Sequence, residues 1–202
     1  MFNPEFLTER NAWENTCHPD RQLVGWTCPT GSRQNNRVGL ASGRARKNKS
    51  KSRRVAGRVL ALLPKARVSA PSPKLNVTAT EAEIIKYAAN VFLARKVTFA
   101  NAIFDLASRH GADYERIRMG LGSDARIGYS HLDVHHGGYR GYGGYCFIKD
   151  TDALVAHAAE RELYHIAELI GADVAFNAHV LASQGLTPED VAMHDKKVKI
   201  KK

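Results

Sequence analysis

The chain has 202 residues, 44% of them hydrophobic, and a formal net charge of +10. That length suits one ordinary domain or two small ones, with enough apolar content for a packed core. No apolar run reaches the roughly 20 residues of a membrane span, and three cysteines, Cys17, Cys28 and Cys146, are too few and too irregular for a disulfide scaffold. A reducing, cytoplasmic setting is expected. Residues 1–20 lack a basic start followed by an apolar core, so no signal peptide is expected.

The positive charge is concentrated. Arg44, Arg46, Lys47, Lys49, Lys51, Arg53 and Arg54 crowd one polar segment, and Lys196, Lys197, Lys199, Lys201 and Lys202 form a tail. Basic runs bind phosphates or nucleic acid. No nucleic-acid fold signature and no interleaved aromatics accompany these, so a solvated, disordered linker and tail are expected.

In chain order, residues 1–30 are mixed, with Asn3-Pro4-Glu5-Phe6-Leu7 and a short apolar stretch, Gln22-Leu23-Val24-Gly25. Residues 31–54, rich in Gly, Ser, Asn, Arg and Lys, read as loop. Val55, Val59, Leu60, Leu62 and Leu63 predict a short amphipathic helix that Pro64 ends. Residues 69–74, with Pro71 and Pro73, read as a connector.

From residue 80 the pattern is helical. Thr80-Glu81-Ala82-Glu83 reads as a capping box. Apolar residues from Ile84 to Leu106 then recur at helical spacing, and Gly111 is a natural stop. Asp113 caps a shorter helix through Ile117 and Met119, closed by Gly120 and Gly122. After a loop to Tyr145, Asp150 or Thr151 is expected to cap a helix with Leu154, Val155 and Ala158. A break near Glu162 precedes more helix to Gly185, and Thr187-Pro188 opens a last short helix.

Two local patterns carry chemistry. In Gly141-Tyr142-Gly143-Gly144-Tyr145-Cys146-Phe147-Ile148-Lys149-Asp150, a cysteine follows a glycine-rich turn just ahead of a lysine, an aspartate and a helix start. Helix N-termini and nearby ammonium groups favour thiolates, and a thiolate attacks an aldehyde. The same run also fits a buried packing cysteine. Lys86 and Asn90, four apart in an apolar stretch, share a helix face. Together they suit an oxyanion and a hydroxyl; a snorkelling lysine and a surface asparagine fit equally. His131, His135 and His136 have no completing set at metal-ligand spacing, and neither do Cys17, His18 and Cys28, so no metal site is expected.

Three blocks in order resemble the UDP-glucose/GDP-mannose dehydrogenase family: Asn3 to Glu9 with Pro19-Asp20-Arg21, then Glu83 to Ala94, then Gly143 to Thr151. Gly122-Ser123-Asp124-Ala125-Arg126-Ile127-Gly128 looks like the family's turn before the cysteine loop. The resemblance is continuous over about residues 80–185 and thin between 25 and 75. It implies a mainly α fold, the helical central or dimerisation domain of a nucleotide-sugar dehydrogenase, preceded by a partial α/β or disordered remnant of an NAD-binding domain. The implied division is residues 1–30 as that remnant, 31–75 as a basic linker with a short helix, 76–186 as the helical domain, and 187–202 as a short helix and basic tail.

The resemblance also implies an NAD-dependent oxidoreductase that takes a sugar nucleotide's primary alcohol to a carboxylate. Cys146 matches the cysteine that traps the aldehyde as a thiohemiacetal and then carries a thioester. Glu5 matches the glutamate of thioester hydrolysis. Lys86 matches the lysine that stabilises oxyanions, Asn90 the substrate-positioning asparagine, and Asp150 the aspartate that organises water and proton transfer. Lys149 falls at the lysine beside cofactor and cysteine. Phe6 and Leu7 match sugar-nucleotide contacts, and Arg126 an arginine that reaches across a dimer into the partner's site. Tyr145 and Ile148 depart from the family's usual small residue and proline, and the loop from Asp133 to Arg140 is longer than the common form.

No Gly-x-Gly-x-x-Gly turn occurs in the 202 residues, and that turn opens the family's dinucleotide-binding domain. The expectation is therefore a fragment-like chain carrying the central domain, inactive by itself. It would turn over only if a separate NAD-binding chain supplied the cofactor. The alternative is a catalytically inactive module that only dimerises through the long helix. Neither a membrane nor nucleic acid is an expected partner.

Overall fold

A computed structural model describes residues 12–17, 19, 22–27, 43–63 and 74–192. The chain divides into two compact units, residues 1–86 and 87–202.

The described part of the first unit opens on α1 (Ala12–Cys17) and β1 (Gln22–Trp26). Helix α2 (Gly43–Leu62) then leads to β2 (Lys74–Thr78), which pairs parallel with β1, Gln22 opposite Lys74 and Trp26 opposite Thr78. The loop expected over residues 31–54 is thus corrected in its last part, and β2 replaces the end of the expected connector. Lysine and arginine are good helix formers, and α2 has tertiary support. Ala56 and Leu60, with Val59 and Leu63 beside them, pack on Val24 and Trp26 of β1. The Asn76 amide of β2 donates to the Arg53 carbonyl at 2.9 Å. Gly25 permits close approach: a Cβ there would lie 2.7 Å from the Ala82 Cβ. The described elements of this unit thus form a β–α–β arrangement with a two-stranded parallel sheet.

Helix α3 (Ala79–Arg109) starts one residue after Thr78. The capping box lies two residues earlier than the sequence suggested. The Thr78 N–H donates to Glu81 Oε2 at 2.6 Å, and the Glu81 N–H donates to Thr78 Oγ1 at 3.3 Å. These bonds hold the Glu81 carboxyl below its usual range, chiefly through the Thr78 N–H. Thr78→Ala is expected to cost about 1 kcal/mol, seen as a lower thermal midpoint of the far-ultraviolet helix signal.

In the second unit, Val91, Ala94, Val97, Ala100 and Ala107 of α3 face inward. Helix α4 (Tyr114–Gly122) is capped by Asp113, whose carboxylate accepts from the Glu115 N–H at 2.9 Å. Helix α5 (Tyr145–Glu160) follows the long loop, and Glu162, at φ +61, marks the expected break. Helix α6 (Tyr164–Ala182) ends before Gly185, and α7 (Pro188–Ala192) starts behind Thr187. Asp190 and Thr187 form a reciprocal cap, with the Thr187 N–H 2.9 Å from Asp190 Oδ2.

Among the described residues, three clusters build this unit's core. Ala94, Val97 and Tyr142 meet Phe147 and Ile148. Ala100, Leu132 and Val134 meet Phe104, Tyr114 and Leu121. Leu181, Leu186 and Val191 meet Tyr139 and Ile148. The first and third clusters fix both flanks of the glycine–cysteine run.

Candidate active site around Cys146

Helix α5 begins at Tyr145, earlier than the Asp150 or Thr151 expected from sequence. Gly144 is its N-cap at φ 75, ψ 147, a backbone that a side chain would strain. Cys146 therefore sits in the first turn, among backbone N–H groups with no intrahelical partner and at the positive end of the helix dipole. Its side chain is exposed.

The loop that delivers Cys146 is held by amide side chains from α6 and the residues just after it. The Tyr142 N–H donates to Asn177 Oδ1 at 2.7 Å, and Asn177 Nδ2 donates back to the Tyr142 carbonyl at 3.0 Å. Gln184 repeats the arrangement at Arg140, with bonds of 2.8 and 3.0 Å. The Gly144 N–H donates to the Val191 carbonyl at 2.8 Å. A Cβ on Gly143 would lie 2.0 Å from the Tyr139 hydroxyl and 2.7 Å from the Val191 oxygen. Asn177 is buried and so is Tyr142, whose phenol burial pushes up to about 12.

Asp150 is fully buried within α5. Asn90 of α3 donates to its Oδ2 at 2.6 Å. Lys149 donates to its other oxygen, Oδ1. A buried carboxylate must be hydrogen-bonded or paired, and both of its oxygens are engaged. The bond to Asp150 is also the chief reason that Lys149 holds its proton more tightly than an ordinary lysine. Helical spacing puts Lys149 one turn from Cys146 on the same face. The result is a nucleophile candidate, a cation and an anchored carboxylate within two turns of α5.

Of the residues singled out from sequence, Asn90, Lys149 and Asp150 form one bonded cluster next to Cys146. Lys86 lies one turn ahead of Asn90 on α3, at the edge of the first unit. Arg126 is a surface residue, its side chain 89% exposed, and its guanidinium bonds to Asp124 in the same turn. Glu5, Phe6 and Leu7 lie outside the described residues. Sequence reasoning passed over Asn177 and Gln184, although an amide within the apolar run from Val174 to Leu181 was a usable signal. His131, at φ +65, stacks near Phe147 at 5.8 Å between centroids, and burial chiefly lowers its pKa. No set of three His, Cys, Asp or Glu side chains that could hold a metal occurs among the described residues. No described helix is long and apolar enough to cross a membrane.

Comparison with known proteins shows the family. Residues 80–179 match the model of the UDP-glucose/GDP-mannose dehydrogenase family, central domain. The chain is 38% identical over 162 residues to the UDP-glucose 6-dehydrogenase of Rhizobium meliloti (strain 1021), covering 80% of this chain and 31% of that one. It is 33% identical over 175 residues to UDP-glucose 6-dehydrogenase YwqF of Bacillus subtilis (strain 168), covering 87% and 32%. The structure of a UDP-glucose dehydrogenase from the hyperthermophilic archaeon Pyrobaculum islandicum superposes with a TM-score of 0.60 at 31% identity, over 88% of this chain and 33% of that chain. The chain thus spans roughly a third of the length of the curated relatives it matches. With residues 80–179 matched by the family model and relatives of 33–38% identity alongside, this chain belongs to the UDP-glucose/GDP-mannose dehydrogenase family, whose central domain it carries.

Proposed function

We propose that this chain supplies the cysteine-bearing half of a reaction centre that oxidises the primary alcohol of a nucleotide sugar, of the UDP-glucose type, to a carboxylate. The observation that carries the reading is the buried Asp150. It is bonded on one side to Asn90 and on the other to Lys149, one turn from an exposed Cys146 at a helix start.

The chemistry assigned to this chain starts at the aldehyde. The Cys146 sulfur adds to the carbonyl carbon, the C=O π electrons move to oxygen, and that oxygen takes up a proton. The product is a thiohemiacetal. The ammonium of Lys149 and the first-turn N–H groups of α5 suit negative charge on that oxygen. Lys86 is assigned the same task from α3, and Asn90 is assigned to orient a substrate hydroxyl. After oxidation to the thioester, Glu5 is assigned as the base that activates the hydrolytic water, with Asp150 ordering the proton path. Phe6 and Leu7 are assigned to the sugar nucleotide.

NAD is the hydride acceptor in this reading, but the residues present do not fit it. The sequence has no Gly-x-Gly-x-x-Gly turn, and of the assigned residues only Lys149 belongs beside the cofactor. A dinucleotide-binding domain outside these 202 residues, on the same polypeptide or another, is therefore part of the proposal. The test mixes this chain with a dinucleotide-binding domain of the family, NAD and UDP-glucose, and follows NADH. Formation above that of either part alone supports the reading; none under any stoichiometry contradicts it.

A second observation favours a homodimer. Ala88, Phe92, Phe99, Ala102 and Leu106 are exposed on α3, Phe92 at 63%, Phe99 at 54% and Leu106 at 56%. With Arg95 they recur at alternating four- and three-residue spacing, the seam of a helix that pairs with another. In this reading the partner's copy also brings Arg126 to the substrate site. Phe99→Glu is expected to weaken self-association about 100-fold or more, measured by sedimentation equilibrium. An unchanged dimer would place the interface elsewhere.

A further inference from the structure

Lys149 has partners that the proposed reaction does not use. Its ammonium lies 5.7 Å from the ring centroid of Tyr87 and 5.8 Å from that of Tyr145. Both distances fall inside the roughly 6 Å over which a ring quadrupole attracts a cation. Because α5 begins at Tyr145, residues 145 and 149 are four apart on one helix face, and Cys146 and Lys149 are three apart. Tyr87 comes from α3, three residues before the Asn90 that holds Asp150. One face of α3 therefore meets two consecutive residues of α5, a ring for Lys149 and an amide for Asp150.

The arrangement answers a physical problem. The Lys149 side chain is 39% exposed on a flexible four-carbon stem, and Asp150 beside it is 0% exposed. A single carboxylate contact leaves an ammonium free to swing toward water. Two rings restrict that swing. Tyr145 is itself 60% exposed, so its ring adds little to the core.

We infer that Tyr87 and Tyr145 are positioning residues that clip the Lys149 ammonium between two rings and hold it beside the Cys146 thiol. The inference rests on the reading of Cys146 as the nucleophile. The clip fixes a cation at the mouth of the thiol, where it draws anionic groups toward sulfur. Tyr145 replaces the small residue usual before this cysteine in the resembling family, so the clip is a property of this chain.

The test compares alkylation of Cys146 in the full chain by iodoacetate, which is anionic, and iodoacetamide, which is neutral. The rates are read on the Cys146 peptide by mass spectrometry, so Cys17 and Cys28 do not contribute. Both reagents need the same sulfur and have similar size. Their rate ratio therefore reports local charge and is insensitive to loosening of the fold. Lys149→Met is expected to lower the ratio about five-fold. Tyr145→Ser and Tyr87→Leu are each expected to lower it about two-fold or more, while Tyr145→Phe keeps it, since phenylalanine retains the ring face. A wild-type ratio in Tyr145→Ser and Tyr87→Leu, or a Tyr145→Phe ratio as low as that of Tyr145→Ser, overturns the clip. Failure of the dehydrogenase reading shows itself separately, as a Cys146 that forms no adduct with a sugar aldehyde while the alkylation ratios stand.

Discussion

Cys146→Ser is expected to abolish NADH formation from UDP-glucose in the reconstituted system, by about four orders of magnitude or more. Oxidation of a free aldehyde needs a tetrahedral adduct whose oxygen can expel hydride, and a sulfur nucleophile supplies it. A serine hydroxyl in the same place is not ionised near neutral pH and makes a poor acyl carrier. The position, rather than the residue type alone, gives Cys146 this role. It stands in the first turn of α5, exposed, with Lys149 one turn on and Asp150 locked behind it. The same substitution leaves the helical fold intact, because an exposed side chain contributes little to packing. The control is an unchanged thermal midpoint. Activity retained in Cys146→Ser would move the nucleophile elsewhere.

The second large effect concerns the clamp beneath the cysteine loop. Asn177→Ala removes both bonds to Tyr142 and leaves a buried N–H and a buried carbonyl without partners. Each orphaned group costs about 1–3 kcal/mol, so a loss near 3 kcal/mol is expected. For a unit of this size that is a fall of about 10 °C in thermal midpoint. The loop would lose register with α6 as well as stability, since Gly141, at φ +97, is fitted to this amide so closely that a Cβ there would lie 2.7 Å from Asn177 Oδ1. Differential scanning calorimetry of Asn177→Ala against wild type checks this, and a shift under about 2 °C would show that the Tyr142 groups find other partners.

Much of the second unit was legible in the sequence because its signals are local. Asp113 and Thr187 begin helices through side-chain caps, while Glu162 and Gly185 follow helix ends at positive φ, and the sequence marked all four places. The first unit was not legible for the opposite reason. Helix α2 depends on Ala56 and Leu60 finding β1, and β2 depends on pairing with a strand some fifty residues earlier. Neither partner is visible in a local window. The capping box was displaced because Thr78 and Thr80 both precede acidic residues at the right interval. Only the strand ending at Thr78 decides between them.

The same distinction holds at the site. Cys146, Lys149 and Asp150 are neighbours in sequence, and helical spacing with Lys86 singled out Asn90, which the structure bonds to Asp150. The cap of α5 lies at Gly144, six residues before Asp150, which was the expected one because it is a good cap by type. Burial between Asn90 and Lys149 gives it another use. That shift hid the helical relation among Tyr145, Cys146 and Lys149. Asn177 and Gln184 act from 35 and 44 residues away, through backbone groups of the loop.

Carbon-13 NMR of the full chain with UDP-glucose 6-aldehyde labelled at C6 tests the central claim most directly, since it needs neither NAD nor turnover. A new resonance of a carbon bonded to both sulfur and oxygen, present in wild type and absent from Cys146→Ser, is expected. Identical spectra for the two proteins, showing only the aldehyde and its hydrate, would contradict the assignment of Cys146 as the residue that captures the sugar.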